Sequence, residues 1–303
     1  MKEQIVIATW GIGPSYRQCV KDYVNSMTKK NSLYDLHIVI MTDYVEFFDD
    51  ISVLPEVKYI CNLLEVQNDV SVPIEKEMIP VNKFDPAFRK EVSENKKKGF
   101  AFSYNMKRFL LPVMAKLGYM KFFLIDPDHE LIFNAELAKH LETPPNTISG
   151  ICPEKIWIDT STIEPHSMTY AIAFGRNSLH VITDMRLALH LMYQEIGEDR
   201  FAEDIYEGVH ITEGPLRYFN FTRTEDIMKF FKYWETFVRV VYNNPGLNRL
   251  INTIGDLRTD FIPVAAAAIG CQMPTLRFQL GLYTGKVYPG YKIGGDGSST
   301  PTV

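Results

Sequence analysis

Unbroken apolar runs alternate with stretches whose apolar residues recur every three or four positions, and this alternation divides the chain into strands and helices. Ile5-Val6-Ile7-Ala8-Thr9-Trp10 predicts a buried strand, and Gly11-Ile12-Gly13-Pro14-Ser15 predicts a turn. Cys19, Val20, Tyr23, Val24 and Met27 then form the stripe of a helix over 16–27. A second strand is expected over 37–42, ending at Asp43, and a third over 57–60. Strand, helix and strand in this order predict a right-handed crossover, the opening of an α/β domain of the nucleotide-binding type.

Residues 62–99 are charged and broken by Pro73, Pro80 and Pro86, which predicts a long excursion with one helix over 86–98. A helix is predicted over 102–117. Ser103 is its N-cap, Met106, Phe109, Leu110, Val113, Met114 and Leu117 its buried stripe, and Gly118 its stop. It feeds a central strand, Phe122-Phe123-Leu124-Ile125. Further strands are expected at 131–133, 147–152 and 168–174, and helices at 135–141 and 179–194. Ile227, Phe230, Phe231, Trp234, Phe237 and Val241 mark one more amphipathic helix.

The chain has 303 residues, 46% hydrophobic and 23% charged, as expected of a soluble globular protein with a substantial core. A net charge of -5 gives no support to nucleic-acid binding. Lys96-Lys97-Lys98 reads as a solvated loop, with contact to phosphate or an anionic surface as the alternative. Cys19, Cys61, Cys152 and Cys271 show no metal-ligand spacing, and with no visible signal peptide they point to a reduced, cytoplasmic protein. The most apolar late stretch, 261–270, is too short to span a bilayer and contains Pro263; peripheral membrane contact is left open.

The candidate chemistry is concentrated where the central strand ends, at Asp126-Pro127-Asp128-His129-Glu130. Open α/β sheets place ligands at the carboxyl ends of their strands. Two carboxylates one residue apart repel unless a cation or protons intervene, so Asp126 and Asp128 suggest Mn2+ or Mg2+, hard cations that leave positions for phosphate oxygens. The competing reading is a solvated acidic turn. Gly11 and Gly13 complete neither a GxGxxG pattern nor a P-loop, which disfavours a dinucleotide enzyme and a P-loop ATPase. Asp43 suits either a ribose or base contact or a plain turn. Asn105, Lys107 and Arg108 either face the phosphate side of a ligand or lie on an ordinary helix surface.

Together these segments resemble a GT-A-fold glycosyltransferase that uses a nucleotide-sugar donor. The resemblance rests on the opening strand, turn and helix, and on Tyr104-Asn105-Met106-Lys107-Arg108-Phe109-Leu110-Leu111-Pro112. It rests also on Gly118-Tyr119-Met120-Lys121 running through the central strand into Asp126-Pro127-Asp128, and it covers roughly 4–210. It implies an α/β fold with a Rossmann-type mixed central sheet flanked by helices, and additional C-terminal helices. Asp126 and Asp128 match the DxD acids: the second ligates the metal, and the first contacts ribose or metal. Arg108, with Asn105 beside it, matches the arginine near the donor phosphates. Ala8 and Thr9 match strand-end positions near the nucleoside, and Asp43 a position near the base.

The resemblance also implies an acceptor side. Asp204, then Glu203, is the candidate base of an inverting reaction, against the alternative of a helix start favoured by the macrodipole. His210 is the candidate later metal ligand, or a core histidine; His129 either helps the acids or faces solvent. Trp157 and Asp159 suit a sugar face and its hydroxyls, or core packing. The histidine-containing C-terminal motif of retaining galactosyl- and glucosyl-type families is not recognisable, and inversion is favoured. The expected partners are a nucleotide-diphosphate sugar donor and a glycan or other hydroxyl acceptor. The expected layout is a catalytic domain at 1–245, divided near 130 into nucleotide-binding and acceptor-side halves, an extension packed on it at 246–293, and a disordered tail at 294–303. The rival readings are a haloacid-dehalogenase-type phosphatase and a non-catalytic nucleotide-sugar-binding protein on the same scaffold.

Overall fold

The computed structural model describes residues 2–31, 33–70, 105–127, 129–131, 133, 137, 141–150, 178–200, 216–250, 260–277, 283–284, 291–293 and 299–301. Strand β1 (Gln4–Gly11) leads through helix α1 (Pro14–Lys30) into β2 (Asp35–Thr42). A 3-10 turn and the short α2 (Asp49–Ser52) connect to β3 (Val57–Asn62) and α3 (Leu63–Asp69). A 3-10 turn over Met106–Phe109 runs into α4 (Leu110–Leu117) and then β4 (Lys121–Ile125). Next come β5 (Glu130–Leu131), β6 (Thr147–Gly150), α5 (Ser178–Ile196), β7 (Leu216–Asn220) and α6 (Thr224–Asn243). After a 3-10 segment, Pro245–Leu250, α7 (Phe261–Cys271) and β8 (Thr275–Arg277) follow.

These strands form a seven-stranded mixed sheet in the order β3-β2-β1-β4-β7-β6-β8. β1 pairs in parallel with both β2 and β4, and β7 runs antiparallel between β4 and β6. The α/β class expected from the sequence is therefore observed. β1 continues to β2 on one side while β4 arrives on the other, so a topological switch point lies between the carboxyl ends of β1 and β4.

Period-two alternation sorts the strand residues between two cores. Ile5, Ile7, Phe123 and Ile125 pack with Val20, Tyr23, Val24 and Met27 of α1. Val6, Ala8, Trp10, Phe122 and Leu124 pack with α4, α5, α6 and α7. The second core is rich in aromatic contacts. Phe122 stacks on Phe219, with ring centroids 5.3 Å apart, and Phe230 meets Trp234 edge-on at 6.2 Å. Such pairs each contribute about 0.5–1.5 kcal/mol beyond area burial.

Gly118 ends α4 in the left-handed conformation at φ 75°, in the stop position read from the sequence. Within the segment expected as an extension, β8 joins the edge of the central sheet and α7 lies in the core. Ser299–Pro301, in the stretch expected to be a disordered tail, forms strand β11, paired antiparallel with β10 (Tyr291–Ile293); β9 (Tyr283–Thr284) pairs with β5. The tail's low apolar content does not prevent this, because a strand pair is held by backbone hydrogen bonds.

Candidate active site

Asp126 is the first residue beyond β4, at the switch point, and is 1% exposed. The strand alternation puts it on the face of Phe122 and Leu124, the same face as Trp10 of β1. Trp10 Nε1 donates to Asp126 Oδ1 at 3.4 Å. That face is covered by helices, and the covering segments bring charge with them. Lys107, in the 3-10 turn before α4, donates from Nζ to Asp126 Oδ1 at 2.8 Å. The same Nζ lies 2.8 Å from Asp260 Oδ2, at the N-terminal boundary of α7. Arg217 of β7 donates from Nη1 to that oxygen at 2.5 Å. Arg217 stands opposite Leu124 in the β4–β7 ladder, which fixes it on this face.

Lys107, Arg217 and Asp260 are all fully buried, so the four residues make a formally neutral set, two acids and two bases, at the end of the central strand. Buried charges persist only when paired in this way. Burial pushes the Asp260 carboxyl up, but the charges and hydrogen bonds of Arg217 and Lys107 outweigh it and hold the group at about 2, below its ordinary 3.8. Asp260 Oδ1 accepts no hydrogen bond among the described residues.

Neighbouring residues in the same helical turn do different work. Arg108 is buried, donating from Nε to Glu235 Oε2 of α6 at 2.5 Å and from Nη1 to the Asn105 carbonyl at 2.6 Å. Asn105 Oδ1 accepts from Trp234 Nε1 at 2.8 Å. Neither residue lies on an ordinary helix surface, and both tie the turn to α6. Among the described residues, Lys107 is paired with Asp126.

Asp43 holds the β1–α1 turn: Oδ2 accepts from the Gly13 amide at 3.1 Å and Oδ1 from Arg17 Nη1 at 2.7 Å. Gly13, at φ 84°, adopts the left-handed backbone this turn requires. Arg17 in turn sits over the rings of Tyr44 and Phe47, 5.4 and 5.5 Å from their centroids. Ala8 and Thr9 lie inside the ladder, because β1 continues to Gly11 and places Trp10 and Gly11 at its end. Thr9 Oγ1 is buried without a hydrogen bond among the described residues. His129 is buried and does not face solvent; its amide donates to the Asp126 carbonyl at 3.1 Å, closing the turn after β4.

Asp128, Trp157, Asp159, Glu203, Asp204 and His210 lie outside the described residues. Sequence reasoning did not single out Asp260 or Arg217, though each left a signal. Arg217 interrupts the apolar strand Leu216-Arg217-Tyr218-Phe219, and a charge there must find a buried partner. Asp260 directly precedes the most apolar run of the chain.

No family model matches the sequence, and no curated protein matches it. Among solved structures, the chain is similar to the apo structure of WbbM, described as a bifunctional glycosyltransferase, with a TM-score of 0.44 and 10% identity. That likeness covers 92% of this chain and 39% of the other, so the chain spans well under half the length of WbbM. It is also similar to mouse xyloside xylosyltransferase 1 in its apo form, with a TM-score of 0.43 and 10% identity, over 91% of this chain and 85% of the other. No helix among the described residues is long and apolar enough to cross a membrane.

Proposed function

We propose that this chain is a cytoplasmic glycosyltransferase that takes a nucleotide-diphosphate sugar as donor and passes the sugar to a hydroxyl acceptor, a growing glycan. The observation that carries this reading is Asp126, an acid fixed at the carboxyl end of the central strand, at the switch point where open α/β sheets bind ligands. The GT-A-like order of sequence motifs around it supports the same reading.

The described residues alone do not make a metal cage: no three His, Cys, Asp or Glu side chains among them converge on one point. The charge of Asp126 is met by Lys107. In our reading Asp128 would hold Mn2+ or Mg2+, with His210 as a further ligand, and Asp126 would serve the ribose. The cation would offset charge on the departing diphosphate. In an inverting transfer the acceptor oxygen attacks the anomeric carbon and the bond to the donor phosphate breaks. The acceptor proton passes to Asp204, or to Glu203 as second choice. Trp157 and Asp159 hold the acceptor, Asn105 and Arg108 brace the donor side, and Asp43 holds the turn on the nucleoside side, while Ala8 and Thr9, inside the ladder, only support the strand end.

A structural reading has one observation in its favour: Asp126 is buried within an ion-pair cluster, the arrangement a non-catalytic scaffold would also use. A panel of sugar nucleotides, scored for manganese-dependent hydrolysis and thermal stabilisation, separates the readings. The glycosyltransferase reading expects stabilisation that needs the cation and vanishes in Asp128→Ala. Binding without turnover of any sugar nucleotide favours the non-catalytic protein, and turnover of an aryl phosphate favours a phosphatase.

A further inference from the structure

We propose that Lys107 is a positioning residue of the donor site, fixing the Asp126 carboxylate for the ribose of a nucleoside diphosphate while Asp260, braced by Arg217, fixes Lys107. The inference rests on the donor reading above and extends it to residues of the C-terminal part of the chain. The geometry makes a chain of contacts: Arg217 Nη1 to Asp260 Oδ2 at 2.5 Å, Asp260 Oδ2 to Lys107 Nζ at 2.8 Å, and Lys107 Nζ to Asp126 Oδ1 at 2.8 Å. Each member comes from a different segment, β7, the start of α7, the turn before α4, and the end of β4, and they converge on the residue at the switch point.

Stability alone accounts poorly for this arrangement. A buried ion cluster holds a fold together no better than apolar residues of the same volume, because desolvation consumes most of the Coulomb gain. Native interiors also satisfy nearly all buried polar atoms, yet Asp260 Oδ1 accepts no hydrogen bond among the described residues. Orientation explains the cluster better. An ammonium group is compact, with three donors around one point, so Lys107 Nζ holds one oxygen of each carboxylate at 2.8 Å; the wider, planar guanidinium of arginine would bridge the two acids at a different spacing. Trp10 Nε1 reaches Asp126 Oδ1 from β1. A carboxylate held from both the strand side and the helix side presents one orientation to a ligand, and preorganisation of this kind lowers the cost of binding.

The test is calorimetric titration of UDP, GDP, CDP and TDP, with manganese in excess, into the full chain and four variants, with Tm measured alongside. The parent binds at least one of the four. Lys107→Met lowers that affinity by about tenfold or more, and Asp260→Asn, which loosens Lys107 without touching Asp126, lowers it by a smaller factor. Lys107→Arg keeps the charge and still loses affinity, because its wider, planar guanidinium bridges the two carboxylates at a different spacing and turns Asp126 from its position. Tyr233→Phe removes a bond to Glu198 away from this cluster, so it lowers Tm and leaves the affinity unchanged. If Lys107→Met does not fold, Asp260→Asn and Lys107→Arg decide. Variants that fold and bind within about twofold of the parent overturn the positioning role while the donor reading stands. A folded parent that binds none of the four nucleotides overturns the donor reading, and this inference with it.

Discussion

Asn105, Lys107 and Arg108 share one turn of chain, yet their side chains are tied to three different partners: Trp234, the Asp126–Asp260 pair, and Glu235. The spacing announced polar residues at the start of a helix; it carried no information about which partner each would meet, because those partners lie 19 to 153 positions away along the chain. Two predictions belong here. Asn105→Ala leaves the Trp234 indole N–H buried without its acceptor, so denaturant unfolding should show a loss of about 1–3 kcal/mol. Asp260 is held at about 2 in the folded chain against an ordinary 3.8, so its ion pairs stabilise the fold fully above about pH 4. That contribution, about 2 kcal/mol, is lost as pH falls toward 2, and Asp260→Asn should flatten the acid limb of the stability curve between those values. An unchanged acid limb would show that Asp260 is not ionised in the folded protein.

At the scale of elements, strands and helices with strong periodicity were legible. β1, α1, β2, β4, α6 and the Gly118 stop of α4 all follow from apolar spacing and one left-handed glycine. β7 was not, because its five buried residues contain both Arg217 and Asn220, which mask the apolar run. Helix α7 was noticed only as an apolar stretch: nearly every side of it is buried, so it shows no amphipathic stripe. Its Pro263 sits in the first turn, where the missing N–H costs little. A methyl group at Gly270 would lie 2.5 Å from the Tyr233 ring of α6, so Gly270→Ala should push the two helices apart and lower stability by about 1–3 kcal/mol. Gly118→Ala has open space but a φ of 75°, so its smaller loss, about 1 kcal/mol, reflects backbone conformation alone. Comparing Tm for the two variants checks both the contact and the cap.

For the whole molecule, the mixed sheet brings together residues that the chain keeps far apart. Half of the cluster at the strand end comes from 217 and 260, beyond the stretch that resembles the donor half of a glycosyltransferase. Ending the chain at 250 would remove Asp260, α7 and the edge strand β8, and should abolish cooperative unfolding as well as nucleotide binding. The acceptor-side expectations at Trp157, Asp159, Glu203, Asp204 and His210 remain proposals for mutagenesis. The most direct measurement for the central claim is equilibrium binding of a nucleoside diphosphate to the parent and to Asp126→Asn and Asp128→Ala, with and without manganese. We expect cation-dependent binding by the parent, weakened by at least about tenfold in Asp126→Asn and lost in Asp128→Ala. Binding of equal strength in all three proteins, or none in the folded parent, would contradict the account.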